Sequence, residues 1–99
     1  MPITKKQKRH LKSLVHHLKP VVIVGQHGLT DGVLAELELT METHELIKVR
    51  VNAADKEERK VMLNNICEKT RSELVGFIGH VAAFYRRHPD KPKISLLSD

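Results

Sequence analysis

The chain has 99 residues, of which 40% are hydrophobic and 29% charged, with a net charge of +5 and one cysteine. That length supports one domain with one core. No apolar run approaches the roughly 20 residues that span a bilayer, and Cys67 has no partner for an internal disulfide, so a cytoplasmic protein is expected. The charge is unevenly placed. Met1 to Thr30 carries six Lys/Arg and no acid, whereas the remainder carries eleven against twelve acids. A block segregated in this way points to a polyanionic partner, with a merely solubilising basic arm as the alternative.

Thr4 and Gln7 form a capping-box pattern ahead of a first helix. Leu11, Leu14, Val15 and Leu18 make its apolar stripe, and Lys5, Lys8, Lys12, His16 and Lys19 fall on a neighbouring one at about 100° per residue. Pro20 ends the helix. Val21-Val22-Ile23-Val24 is a β-branched run without alternation, which predicts a short strand covered on both faces. Gly25-Gln26-His27-Gly28 breaks it, and Thr30 is placed to cap a second helix with Asp31 in its first turn and Val33, Leu34, Leu37 and Met41 on its buried side.

Leu46 to Val51 alternates, with Ile47, Val49 and Val51 pointing one way and Lys48 and Arg50 the other. Asp55 and Glu58 repeat the capping pattern for a third helix, which buries Met62, Leu63, Ile66 and Cys67 and ends near Arg71. Leu74 to Ile78 and Val81 to Tyr85 read as a tight hairpin around Gly79-His80. Residues 88–99, with Pro89 and Pro92, are expected to form an irregular tail apart from an extended stretch at Ile94-Ser95-Leu96. The order α-β-α-β-α-β-β predicts an α/β fold of the α+β kind: a single domain, with a core over about residues 4–87, in which helices pack on a mixed four-stranded sheet.

The Gly25-Gln26-His27-Gly28 loop is the principal candidate site. Glycines between a strand and a capped helix let the chain turn sharply and let a ligand approach without a Cβ in the way, and the amides of the following helix start suit phosphate. A plain strand-to-helix turn is the alternative, and Asp31 works against an anion there. The loop is neither a dinucleotide fingerprint nor a P-loop, since Gly28 is followed by Leu29-Thr30. Lys19, Lys48, Arg50 and Arg86-Arg87 are numerous enough to line a groove, although exposed strand positions explain them equally well. His27 could hydrogen-bond a phosphate, stack on a base or simply be solvated. The histidines have no zinc-like spacing, and nothing marks a nucleophile, a catalytic carboxylate pair or a cofactor fingerprint, so neither metal, cofactor, small-molecule substrate nor catalysis is expected. With only Phe77, Phe84 and Tyr85 as aromatics, a stacking platform for bases is not expected either, and any RNA contact should fall on phosphate and sugar of a structured region.

Four stretches together carry a family resemblance: Leu18-Lys19-Pro20-Val21-Val22; Gly25-Gln26-His27-Gly28-Leu29-Thr30 with Val33; His44-Glu45-Leu46-Ile47-Lys48-Val49; and Ile78-Gly79 with Tyr85-Arg86. In this order and at these separations the chain resembles the CRM domain (chloroplast RNA splicing and ribosome maturation) in its stand-alone bacterial, YhbY-type form, over about Thr4 to Leu96. The resemblance implies a fold similar to the C-terminal domain of bacterial translation initiation factor 3. It also implies RNA binding through the GxxG loop and association with precursors of the large ribosomal subunit. It assigns Gly25, Gln26, His27 and Gly28 to the RNA loop, with Thr30 beside it, and Lys19, Lys48 and Arg86 to the neighbouring basic positions. Lys5, Lys8, Lys12, Arg50 and Arg87 join them on charge alone. The chain departs from the family in having Arg71-Ser72 after Thr70, where Thr-Gly is common, and Ala83-Phe84 where an aliphatic pair is common. The expectation is thus a monomeric RNA-binding protein of ribosome assembly. The competing one is a protein-interaction module that docks its basic first helix on an acidic partner.

Overall fold

The computed structural model describes residues 3–25, 27–92 and 94; Gln26 and the extension expected at Ser95-Leu96 lie outside these. The order anticipated from the sequence is the order found: α1 (Lys5–Val15), β1 (Pro20–Val24), α2 (Asp31–His44), β2 (Leu46–Val51), α3 (Lys56–Thr70), β3 (Glu73–Ile78) and β4 (Val81–Tyr85). The strands form one mixed sheet in the order β1-β2-β4-β3. β1 runs parallel to β2, and the other two pairings are antiparallel.

The helix starts are held as their sequences dictate. Thr4 accepts the Gln7 amide while the Gln7 side chain accepts the Thr4 amide, at 3.1 and 3.0 Å. Thr30 accepts the Val33 amide, and Asp55 accepts the Glu58 amide at 2.8 Å. Each bond satisfies a donor that the first helical turn leaves open. α1 stops at Val15 rather than reaching Leu18. Its last residues tighten into i→i+3 bonds, from the His17 amide to Leu14 and from the Leu18 amide to Val15, as the chain turns toward Pro20.

The two faces of the sheet are covered unequally. α2 and α3 close one face over Val22, Val24, Leu37, Ile47, Val49, Ile66 and Phe84. α1 alone covers the other, where Leu11 packs with Leu46, Val75, Ala83 and Tyr85. α1 lies against β2 and β3, so β1 receives no helix on that side. Val22 and Val24 are buried, but Val21 is 48% and Ile23 61% exposed. The expectation that β1 is covered on both faces is therefore wrong. An all-apolar run says nothing about which face lacks a cover, and this strand sits at the sheet edge.

The described part of the tail, residues 88–92 and 94, has no regular element and is anchored. Glu45 is fully buried and takes a positive φ of 54° at the end of α2. Its carboxylate accepts the amides of His88 at 2.7 Å and Ile94 at 2.8 Å. Charge-assisted bonds to backbone amides make a buried carboxylate tolerable, and Ile94 packs beneath α1 with the second cluster.

The departure at Arg71 also has a structural meaning. Arg71 ends α3 in the left-handed region with φ 53° and ψ 43°, where a Cβ costs about 1–2 kcal/mol. Arg71→Gly should raise the unfolding free energy by about 0.5–1 kcal/mol after the greater freedom of the unfolded glycine chain is discounted, measurable by urea denaturation. The one-sided burial of β1 is tested at adjacent residues. Val22→Thr should cost about 1–3 kcal/mol for a buried hydroxyl, while Ile23→Thr should stay within about 0.5 kcal/mol of the parent.

Candidate nucleic-acid interface

The glycine turn stands at the end of the sheet where β1 and β2 finish. Val24 is level with Val51, and the Asn52 amide donates to Val24 at 2.9 Å. The β3–β4 hairpin tip lies at the same end, since the Val51 amide bonds the His80 carbonyl. The turn is closed by the Gly28 amide on the Gly25 carbonyl at 3.0 Å, followed by the Thr30 amide on Gly28. His27 is exposed between them. Among the described residues, the amides of Asp31 and Gly32 in the first turn of α2 have no partner in the chain, as a helix start leaves them. The Thr30 hydroxyl oxygen is occupied as the cap acceptor.

The two glycines differ in what requires them. Gly28 has φ +70°, so the turn itself calls for glycine. Gly25 has no such φ, and a Cβ built there would meet nothing within 4 Å. Among the described residues, none needs Gly25 to be small, which leaves the space for something outside the protein.

The predicted cations separate into those on the α1 side of the sheet and the Arg86-Arg87 pair, which follows β4 at the sheet end away from the glycine turn. Lys48 and Arg50 project from β2 on the α1 side, opposite Val49 and Val51. Arg50 is exposed beside Ile23, its partner on β1. The Lys48 ammonium donates to the Leu18 carbonyl at 3.1 Å, tying the α1–β1 connection to the sheet and leaving two donors. Lys12 leans from α1 over β3, so close that a Cβ on Gly76 would come within 3.1 Å of its Cε. Lys5 and Lys8 are exposed along the same side of α1, up to two turns before Lys12, and Lys19 is exposed where β1 begins.

Arg86 is elsewhere. β4 is antiparallel to β2, with Tyr85 opposite Leu46, so Arg86 follows the sheet end away from the glycine turn. Its guanidinium holds Glu38 at 2.8 Å and the Thr70 carbonyl at 2.9 Å, with Glu42 at 3.6 Å. It fastens α2 and the end of α3 to the sheet, and the structure does not bring it to the loop. The family resemblance suggested an RNA contact for Arg86, but Glu38 and Glu42, four residues apart on one face of α2, are its partners in the chain.

What sequence reasoning missed is a groove of about 500 Å³ between α1 and the open part of the sheet. Its wall is Lys12, Val15 and His16, and its floor includes Lys48, Val81 and Ile78. Among the described residues, no acidic side chain lines it. Only the fold shows that α1 stops short of the glycine-turn end of the sheet, so no local pattern marks it.

The two helical layers carry opposite charge. α1 contains five Lys/Arg and no acid; α2 contains four acids and no Lys/Arg. The sheet lies between them, so the α1 side presents the positive field.

The chain is similar over nearly its whole length to proteins named for RNA binding. The model of the CRS1/YhbY (CRM) domain matches residues 3–86. A probable RNA-binding protein of Pseudomonas aeruginosa is 49% identical over 96 residues, covering 97% of this chain and 91% of the relative. An RNA-binding protein of Haemophilus influenzae is 49% identical over 94 residues, covering 95% and 94% respectively. The solution structure of a Staphylococcus aureus protein superimposes with a TM-score of 0.84 at 35% identity, covering 97% of this chain and 100% of that one.

The differing demands on the two glycines are separable by stability alone. Gly25→Ala should leave the thermal midpoint unchanged, whereas Gly28→Ala should cost about 1–2 kcal/mol through its left-handed φ; calorimetry on the two variants checks this.

Proposed function

The chain belongs to the CRS1/YhbY (CRM) domain family, and we propose that it acts as a non-catalytic RNA-binding factor on precursors of the large ribosomal subunit, as a monomer in the cytoplasm. The single observation that carries the RNA reading is the one-sided charge: Lys12, Lys48 and Arg50 face the α1 side of the sheet, whose end bears the open glycine turn. Phosphates seat at Gly25 to Gly28 against the start of α2, and the lysines and Arg50 hold the strand on the adjoining surface. Asp31 tempers the field at the turn, so affinity comes chiefly from the cations and the turn sets position. The ribosomal destination rests on the family resemblance.

Such a complex releases counterions. Neutralising about four to six phosphates gives a log–log salt slope of roughly −3 to −5, and a flat slope in a titration against ribosomal RNA fragments would contradict the reading. Gly25→Val is the cleaner probe of the turn, because Gly28 is needed by the backbone. The variant should keep its thermal midpoint and bind RNA at least about tenfold more weakly. For the ribosomal destination, the protein should sediment with large-subunit precursors in a gradient of cell extract and leave them after ribonuclease treatment.

A further inference from the structure

An RNA surface made only of phosphate contacts would be polar throughout, and this one is not. Two exposed isoleucines lie at the glycine-turn end of the sheet on its opposite edge strands, Ile23 on β1 at 61% and Ile78 on β3 at 82% exposure. Both are on the α1 side of the sheet, Ile23 level with Arg50 and Ile78 level with Val81. Ile78 and Val81 continue into the groove, whose wall carries Lys12 and His16 and whose floor holds Lys48. The hairpin that presents Ile78 is braced from behind: the Arg59 guanidinium donates to the Gly79 carbonyl at 3.0 Å and lies 5.0 Å over the Phe77 ring. Arg50 stands between Ile23 and the Ile78–Val81 pair, so the row alternates aliphatic and cationic side chains, and exposed apolar surface rimmed by charge marks a site of interaction.

Building on the RNA reading above, we infer that this floor receives unpaired nucleobases, so the protein selects RNA in which a stem is interrupted by extruded nucleotides. The cationic rim matches the phosphates that accompany each base. A base in a duplex hides its apolar faces in the stack, whereas an extruded one exposes them. The groove volume falls within the range of small-ligand sites. From Pro20 beside the groove to Val24 at the turn, β1 spans about 13 Å at ~3.3 Å per residue, so one short stretch of backbone reaches both. A glycine loop of this spacing clamps the backbone of about four nucleotides in the KH module. The scarcity of aromatics excludes ring stacking as the holding force but not contact of a base face with isoleucine and valine.

The test uses the full chain and two RNA hairpins of one sequence, one fully paired and one with two extruded nucleotides, the latter also made with 2-aminopurine at an extruded position. The parent protein should bind the interrupted stem about tenfold more tightly and change the 2-aminopurine fluorescence. Ile23→Ser/Ile78→Ser alters two exposed side chains and no charge. It should keep the thermal midpoint, the salt slope and the affinity for the paired stem, and lose the preference and the fluorescence change. Equal affinity of the parent for both hairpins, or a preference that survives in the double variant, overturns the inference while the salt slope still supports RNA binding. Absence of a salt-dependent complex with either hairpin overturns the RNA reading itself.

Discussion

One helix cannot cover four strands. An α-helix is about 10 Å across, and four strands spaced about 4.8 Å apart make a wider floor. This fold places two helices on one face of its sheet and one on the other, so the second face must remain partly open. α1 is held obliquely across it by two ties. The Ile3 amide bonds the Glu73 carboxylate at the start of β3, and the Lys48 ammonium bonds the Leu18 carbonyl at the start of β1. Between these ties α1 buries Leu11 against Val75 and Ala83, and beyond them it leaves Ile23, Arg50 and Ile78 uncovered. The candidate interface is the part of the sheet that the helix count leaves over.

Charge follows the same division. On the closed face, α2 keeps its acids, and Arg86 and His88 meet Glu38 and Glu42. Much of that charge is thus spent holding the molecule together. On the open face, the exposed cations meet few acids; Glu73 is engaged with the Ile3 amide, and Glu45 is buried under the tail. A dipolar arrangement of this sort orients an approaching polyanion before contact, because the potential of one side reaches about a Debye length into solution. It also explains why a modest net charge of +5 can serve a polyelectrolyte partner: the local surface, not the total, sets the attraction.

Much of this architecture was legible in the residues because it depends on local chemistry. Caps at Thr4, Thr30 and Asp55 mark helix starts wherever a side-chain oxygen can reach the third amide, and Gly79 marks the hairpin because its φ is +61°. The alternation of β2 placed Lys48 and Arg50 on one side correctly, since period two leaves only two choices. The failures were non-local. Nothing in Val21 to Val24 indicates that α1 will pass it by. Arg86 looks like any strand-end arginine until α2 swings Glu38 and Glu42 alongside. The groove exists only as the distance between two elements far apart in sequence. Arg71 lies between these cases: its departure from the family pattern was visible, and the left-handed backbone that gives the departure meaning was not.

The division between the turn, the cations and the aliphatic floor also bears on selectivity. Phosphates repeat identically along any RNA, so cations and loop amides supply affinity and register but little discrimination. A floor of isoleucine and valine has the opposite character. It contributes nothing at long range, and it responds only to a face that base pairing conceals. On the proposed reading, joining the two on one sheet would let the first concentrate RNA at the surface and the second decide which part of it stays. The bracing of Phe77 and Gly79 by Arg59 then acquires a purpose. An exposed isoleucine on a loose hairpin would lose on ordering what it gains on contact, at about 1–2 kcal/mol for each backbone residue fixed. A hairpin already fixed by its own arginine avoids that loss.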